Sequence, residues 1–248
     1  MSEIKYYDGG ARTPDGVFQA AMEAASPYAA TADRSHENDE GILTGVPVTT
    51  GYTNIAATNA SAAAQALTSA TLAANTKCYV KVTIPTGANA ATVRRIAEEA
   101  GAKIGAAAAK VHATAIVAAA GIVLTLNLSR SDVYTCLIDV KTAMDERGCP
   151  AEGRVLVMPG VLLGELLKDA RVTEGTDAEI NGTAPKFMGF ELRADEGLDG
   201  EMLAYHSEAV TLAQIVTAYE RTATQLSAEV AVGAVVVSPD HVCDVTVS

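Results

Sequence analysis

The side chains in this sequence that could do chemistry are few and scattered. His241 and Cys243 stand two residues apart, so on a strand they would share a face and could grip a metal ion. A working site needs three or four ligands, and His36, His112 and His206 are out of sequence reach. Packing is therefore the expected role of His241 and Cys243. Ser35 and His36 beside Asp39 have the composition of a hydrolytic triad, but they lie in a polar stretch with no element to align them. Glu98 and Glu99 are adjacent on a helical pattern, where neighbours point about 100° apart, so they are read as a solvated face. Gly9-Gly10 does not join a strand to a helix and is not a phosphate loop. HExxH, GxSxG and P-loop patterns are absent from the sequence. We expect no catalytic residue, no bound metal and no cofactor, and hence no enzyme.

Composition narrows the classes further. The chain has 248 residues, of which 49% are hydrophobic and 19% charged, which is a globular balance. Alanine, valine and leucine dominate the apolar set, with no Trp and only 3 Phe. A core of small side chains buries little area per residue, so contacts between subunits are expected to supply part of the stability. The net charge of −12 without a basic block excludes tight nucleic-acid binding through phosphate contacts. The first residues, "MSEIKYYDGG", have no hydrophobic signal core. The run "AAAAKVHATAIVAAAGIVLTL" is broken by Lys110 and His112 and reads as helix then strand, not a membrane span. Cys78, Cys136, Cys149 and Cys243 form no CxxC pair and are expected as free buried thiols. The sequons at Asn59, Asn127 and Asn181 are read as chance matches.

The order of elements carries more. Residues 1–50 read as an arm with one short helix from Asp15, needing a partner surface to order it. In "TKCYVKVTIP", Cys78, Val80 and Val82 alternate with Tyr79, Lys81 and Thr83, which is a half-buried strand. "ALTSATLA" before it is the expected hairpin partner. Val93, Ile96, Ala100, Ile104, Ala107 and Val111 recur every three or four residues, predicting a helix over 88–119. Gly101 and Gly105 inside it permit close packing or a bend. "IVLTLNL" is a strand, and Ser131 with Asp132 caps a helix striped by Val133, Leu137, Val140 and Met144. That helix stops at Gly148 before Pro150. "RVLVM" is a buried strand, followed after Pro159 by a short Leu-rich helix. Asn181-Gly182 is a turn, and strands are expected around Met188–Leu192 and at "EMLAYH". Ser207 is expected to cap a helix bearing Leu212, Ile215, Val216 and Tyr219. The tail is β, broken at Ser238-Pro239-Asp240. The class is α+β.

Three stretches in this order, "MDERGCPAEGRVLVMPGVLLGELLKD", "INGTAPKFMGFELRADEGL" and "AVVVSPDHVCDVTV", resemble the major capsid proteins of tailed bacteriophages, which share the Hong Kong 97 shell fold. The resemblance spans roughly 52–248. It implies an N-terminal arm at 1–50, an extended β-loop at 51–87, and a peripheral domain with the long spine helix at 88–128. It further implies an axial domain at 129–221 and C-terminal strands at 222–248 returning to the peripheral domain. The implied function is self-assembly, as pentamers and hexamers, into the icosahedral head of a tailed phage. That head encloses double-stranded DNA without sequence-specific binding and without a membrane. Scaffolding, portal and decoration proteins are the implied partners, the virion is the implied location, and the host cytoplasm is the place of assembly. Some relatives join subunits through a Lys-Asn isopeptide bond. Lys77 and Lys81 lie in the right region, but no Asn or activating acid matches, so they are read as surface charges. An encapsulin-like nanocompartment shell shares the fold and is the first alternative. A tail-tube protein is the second, and the long helix argues against it.

Overall fold

The computed structural model describes residues 16–34, 42–48, 68–127, 132–173, 185–198 and 200–247. Its longest element is α2, Ala90–Ala118, a 29-residue helix of about 44 Å at 1.5 Å per residue. Asn89 caps its start by accepting the Thr92 N–H at 2.9 Å. One face of α2 buries Ile96, Ala97, Ala100, Ile104 and Ala108. They pack on a three-stranded antiparallel sheet of order β3-β10-β9, with β3 at Thr76–Thr83, β9 at Val210–Arg221 and β10 at Gln225–Val236. The expected alternation holds in β3: Cys78 is buried, Val80 and Val82 half-buried, and Tyr79 and Lys81 exposed.

Two expectations fail here. The stretch expected to be helical after Ser207 is a short 3-10 turn, Ser207–Ala209, leading into the 12-residue strand β9. It pairs with β10 from Val210↔Val236 to Arg221↔Leu226. Its first seven residues, Val210 to Val216, are all buried, so both faces are covered. A strand buried on both faces loses its period-two signature, and the spacing of Leu212, Ile215, Val216 and Tyr219 imitated a helix. The β-branched content, Val210, Thr211, Ile215, Val216 and Thr217, favours the strand. The second failure is the hairpin. β2, Thr68–Ala73, does not pair with β3; it pairs antiparallel with β1, Ile42–Val48, as a separate ribbon. Leu72 of β2 packs instead on Ala213, Ile215 and Val237. β3 finds its partner in β10, far along the chain, a choice that local sequence does not encode.

A six-stranded mixed sheet forms the other body, in the order β4-β11-β8-β5-β7-β6. These are Ile122–Leu126, Val242–Val247, Glu201–His206, Arg154–Met158, Phe190–Ala194 and Lys186–Phe187. One face carries Leu156, Met158, Phe190, Leu192, Cys243 and Val245 against α3, Val133–Glu146, whose stripe is the expected Val133, Leu137, Val140 and Met144. The helices α4, Gly160–Leu166, and α5, Ala170–Thr173, place Leu166 and Val172 in the same core. The opposite face presents Val155, Val157, Leu203 and Tyr205 to the C-terminal part of α2 and to Leu212. Every residue of β5 is thus buried. The sheets cut across the linear division of the sequence. β4 and β11 lie in the six-stranded sheet, while β9 joins the sheet under α2. The turn expected at Asn181-Gly182 lies outside the described residues.

Candidate assembly surfaces

The N-terminal segment is ordered by its own chain. Helix α1, Gly16–Ala24, lies along α2 with Phe18 and Met22 buried. A Cβ at Gly101 would strike the Phe18 carbonyl oxygen, and one at Gly105 that of Met22. The two glycines, spaced by a helical turn, are what lets the backbones approach. Phe18 also meets Tyr219 with ring centroids 5.2 Å apart. Beyond α1, Tyr28 is fully buried between Tyr205, stacked at 6.3 Å, and His112, edge-on at 6.4 Å. The Thr31 and Tyr205 hydroxyls share a 2.5 Å hydrogen bond. Asp33 then bridges to Thr211 of β9, its N–H donating to the Val210 carbonyl at 3.0 Å. The expectation that residues 1–50 need a partner surface is thereby corrected for 16–34. Burial raises the Tyr28 and Tyr205 phenols well above their ordinary range. Burial also lowers the His112 imidazole to about 4, against a raising contribution from its 3.4 Å contact with the Ala213 carbonyl.

The stretch 144–160 makes the join between the α3 layer and the sheet. Gly148, at φ +71°, follows the helix. Its N–H donates to the Asp145 carbonyl at 2.9 Å, and the Cys149 N–H to the Met144 carbonyl at 3.0 Å. This is a Schellman ending, with Cys149 and Met144 in one core as its apolar contact. Arg154 opens β5 and is 2% exposed. It turns back on the corner: Nε donates to the Pro150 carbonyl at 2.7 Å, and Nη2 donates to the Cys149 carbonyl and meets Asp145 Oδ1 at 2.6 Å. Its guanidinium lies 5.8 Å from the Phe190 ring centroid. Asp145 is held below the ordinary carboxylate range, first by its hydrogen bond from Lys141 and then by Arg154. Beside this corner a cleft of about 540 Å3 opens between residues 30–31, residues 151–155 and the β6–β7 edge. The sequence places Arg154 at the start of the buried strand "RVLVM" without marking it as a corner residue. An arginine opening an otherwise wholly apolar buried run was the available signal.

The residues singled out for chemistry do not converge. Cys243 is fully buried in the core under α3, while His241 sits in a 3-10 turn, Pro239–His241, with its ring 6.3 Å from that of His206. Burial raises the thiols of Cys78, Cys136, Cys149 and Cys243, the last to about 12. Among the described residues no three His, Cys, Asp or Glu side chains gather to hold a metal. Glu98 and Glu99 pair with Arg94 and Arg95 one helical turn earlier, at 3.8 and 3.5 Å, all on the exposed side of α2. Lys77 meets Glu229 Oε1 at 2.7 Å, and Lys81 is an exposed residue of β3. Gly9, Gly10, Ser35, His36 and Asp39 lie outside the described residues.

Among the described residues no helix is long and apolar enough to cross a membrane. Tyr79, Val123 and Val161 are exposed apolar side chains on three separate elements, β3, β4 and α4. The described surface therefore offers a beam, a β-ribbon and a two-layer body, and no built reaction centre. No protein-family model and no curated protein matches the sequence. Solved structures do match. One from Mycobacterium phage Che8 aligns with a TM-score of 0.62 and 16% identity, covering 97% of this chain and 94% of that one. The capsid structure of the cyanophage P-SCSP1u aligns with a TM-score of 0.59 and 12% identity, covering 99% and 93%. The virus-like particle from Pyrococcus furiosus aligns with a TM-score of 0.55 and 13% identity, covering 92% and 97%. The chain shares its fold with these structures, a phage capsid and a virus-like particle among them, and this is the Hong Kong 97 shell fold that the order of its sequence elements implied.

Proposed function

We propose that this chain is the major capsid protein of a tailed double-stranded DNA phage, self-assembling into an icosahedral head. The observation that carries the reading is the end-to-end likeness to a phage capsid, which covers 99% of this chain and 93% of the P-SCSP1u chain. In this reading the function of the chain is structural. In this reading the six-stranded sheet with α3, α4 and α5 is the axial body, meeting its copies around five- and six-fold axes. Helix α2 with β3, β9 and β10 is the peripheral body. Residues 1–50 are the arm, which contributes β1, and 51–87 the extended loop, which contributes β2, so the β1–β2 ribbon ties arm to loop. Copies of the chain form the pentamers and hexamers, and scaffolding, portal and decoration proteins complete the head.

The acidic balance of the chain suits a container for DNA. A lumen that is neutral to acidic confines the genome without adhering to it. Assembly takes place in the bacterial cytoplasm, and the finished protein resides in the virion. Expression of the chain followed by negative-stain microscopy tests the reading. Closed shells or capsomer rings are expected; a stable monomer at assembly concentrations overturns it. Nuclease-protected DNA in native particles is the expected content, whereas a protein cargo would turn the reading toward a nanocompartment shell.

A further inference from the structure

Residues 26–34 form a strap that leaves α1, passes His112 of α2 and ends beside β9. Its anchor is Tyr28, fully buried in one core with Tyr205, Leu212 and Val155. Beyond Tyr28 the strap is held by a few bonds. The Thr31 hydroxyl meets that of Tyr205, and the Asp33 N–H donates to the Val210 and Ser207 carbonyls at 3.0 and 3.2 Å. The Leu212 N–H donates back to the Asp33 carbonyl at 2.9 Å. His112 lies under this strap, fully buried and edge-on to Tyr28. Its Nε2 contacts the Ala213 carbonyl at 3.4 Å; a carbonyl only accepts, so Nε2 carries the proton and Nδ1 is the bare nitrogen. Nδ1 is buried and has no hydrogen-bond partner among the described residues. A second proton must therefore go to Nδ1, where it finds no acceptor and makes a buried cation.

We propose that His112 is the catch of an acid-released strap: protonation at Nδ1 lifts residues 26–34 from their seat while α2 and the sheets stay folded. The inference stands independently of the shell reading above. The groups that face His112 do not answer the new charge. From the strap, Tyr28 offers a neutral phenol and Arg34 a like charge, itself paired with Glu23 of α1 at 3.6 Å. From β9, no residue between Val210 and Ala218 is ionisable. On α2, Lys110 is exposed and of the same sign. Tyr205 of β8 stacks on Tyr28 with its hydroxyl engaged by Thr31, and the Asp195 and Glu201 carboxylates act on the Tyr28 phenol, not on His112. Lifting the strap is the least costly way for water to reach Nδ1, since β9 is paired with β10 along its length and α2 is packed from Ile96 to Ile116. Release uncovers the seam that Tyr28 seals among Tyr205, Leu212 and Val155.

Hydrogen exchange of the full chain tests this, with each amide's rate divided by its intrinsic rate at the same pH. Strap opening exposes the Ala32, Asp33 and Leu212 amides, whose acceptors are the Tyr28 carbonyl, the Val210 and Ser207 carbonyls and the Asp33 carbonyl. With the strap closed the imidazole titrates at about 4, and with it open near 6.5. Opening therefore becomes easier as pH falls through 6.5 and levels off below 4. Between pH 7 and pH 5 the protection of these three amides should fall about twenty-fold, while Ile104 and Ala108 of α2 keep theirs. His112→Gln should flatten the strap response. An equal fall in that variant, or a fall shared by Ile104 and Ala108, overturns the proposal. Should that variant not fold, replacing both His36 and His206 by Gln decides, because these imidazoles lie near the strap in sequence or beside its Ser207 acceptor. A fall retained in the double variant supports His112 as the catch, and a fall lost with those two overturns it.

Discussion

Asp145, in the last turn of α3, and Arg154, the first residue of β5, meet at 2.6 Å across the turn that separates them. The pair closes the corner that the Schellman glycine begins. Arg154 supplies donors to two carbonyls that face inward where the chain has left the helix and not yet entered the sheet. The partners are unequal: Arg154 is buried, whereas the Asp145 side chain is 43% exposed. Arg154→Met strips the Cys149 and Pro150 carbonyls of their donors and should cost about 3 kcal/mol. Asp145→Ala leaves those bonds in place and removes a half-solvated charge, for about 1 kcal/mol. Urea titration of the two variants checks the ratio, and equal losses would refute the asymmetry.

The glycines of α2 give a second prediction. A methyl group at Gly101 or Gly105 meets backbone carbonyls of α1, which cannot swing aside as a flexible side chain could. Alanine gains about 1 kcal/mol of helix propensity. Releasing Phe18 and Met22 from their buried sites loses about 3 kcal/mol or more. The net outcome of Gly101→Ala and of Gly105→Ala is a displaced α1, seen as faster amide exchange over residues 16–24. Gly164→Ala in α4 meets open space and should leave exchange unchanged.

How much of this was legible follows from how local each signal was. The cap at Asp132, the stripe of α3 and the stop at Gly148 are written within a few residues of where they act, and each sits where the sequence put it. β9 and the β1–β2 ribbon were misread because the deciding contacts are long-range. Val210 to Val216 are covered on both faces by elements from elsewhere, which erases the alternation that marks a strand. Thr68–Ala73 had a nearby strand to pair with and took a distant one. The glycine spacing in α2 announced a close approach without naming α1 as the partner. Arg154 carried the weakest signal, because a single charge beside a glycine is ordinary at a strand edge.

Lys77 and Glu229 bear on covalent joining. Glu229 Oε1 accepts from both Lys77, at 2.7 Å, and Thr217, at 2.8 Å, and its carboxyl is held below the ordinary range first by the lysine. Lys77 is correspondingly held above its own, so it stays a charged ammonium and a poor nucleophile. Particles boiled in SDS should run as a single band at 25.5 kDa. A ladder of multiples, abolished by Lys77→Arg, would show that this lysine forms an isopeptide bond after all.

His112 makes the stability of the fold depend on pH. Its imidazole is buried against Tyr28 and lowered from 6.5 to about 4, first by burial, with the Arg34 charge acting in the same sense. The unfolded chain therefore takes up a proton near pH 6.5 that the folded chain refuses until about pH 4. Stability from this group is complete above pH 6.5 and is lost progressively as pH falls toward 4, by on the order of 3 kcal/mol. The Asp145 and Glu229 carboxyls, lowered by their basic partners, release their stabilisation only at still lower pH, through their depressed values. His112→Gln keeps a donor for the Ala213 carbonyl and removes the titration. Urea midpoints measured between pH 7 and pH 4.5 should fall steeply for the natural chain and distinctly less for this variant. Parallel slopes would mean that another group governs the acid limb.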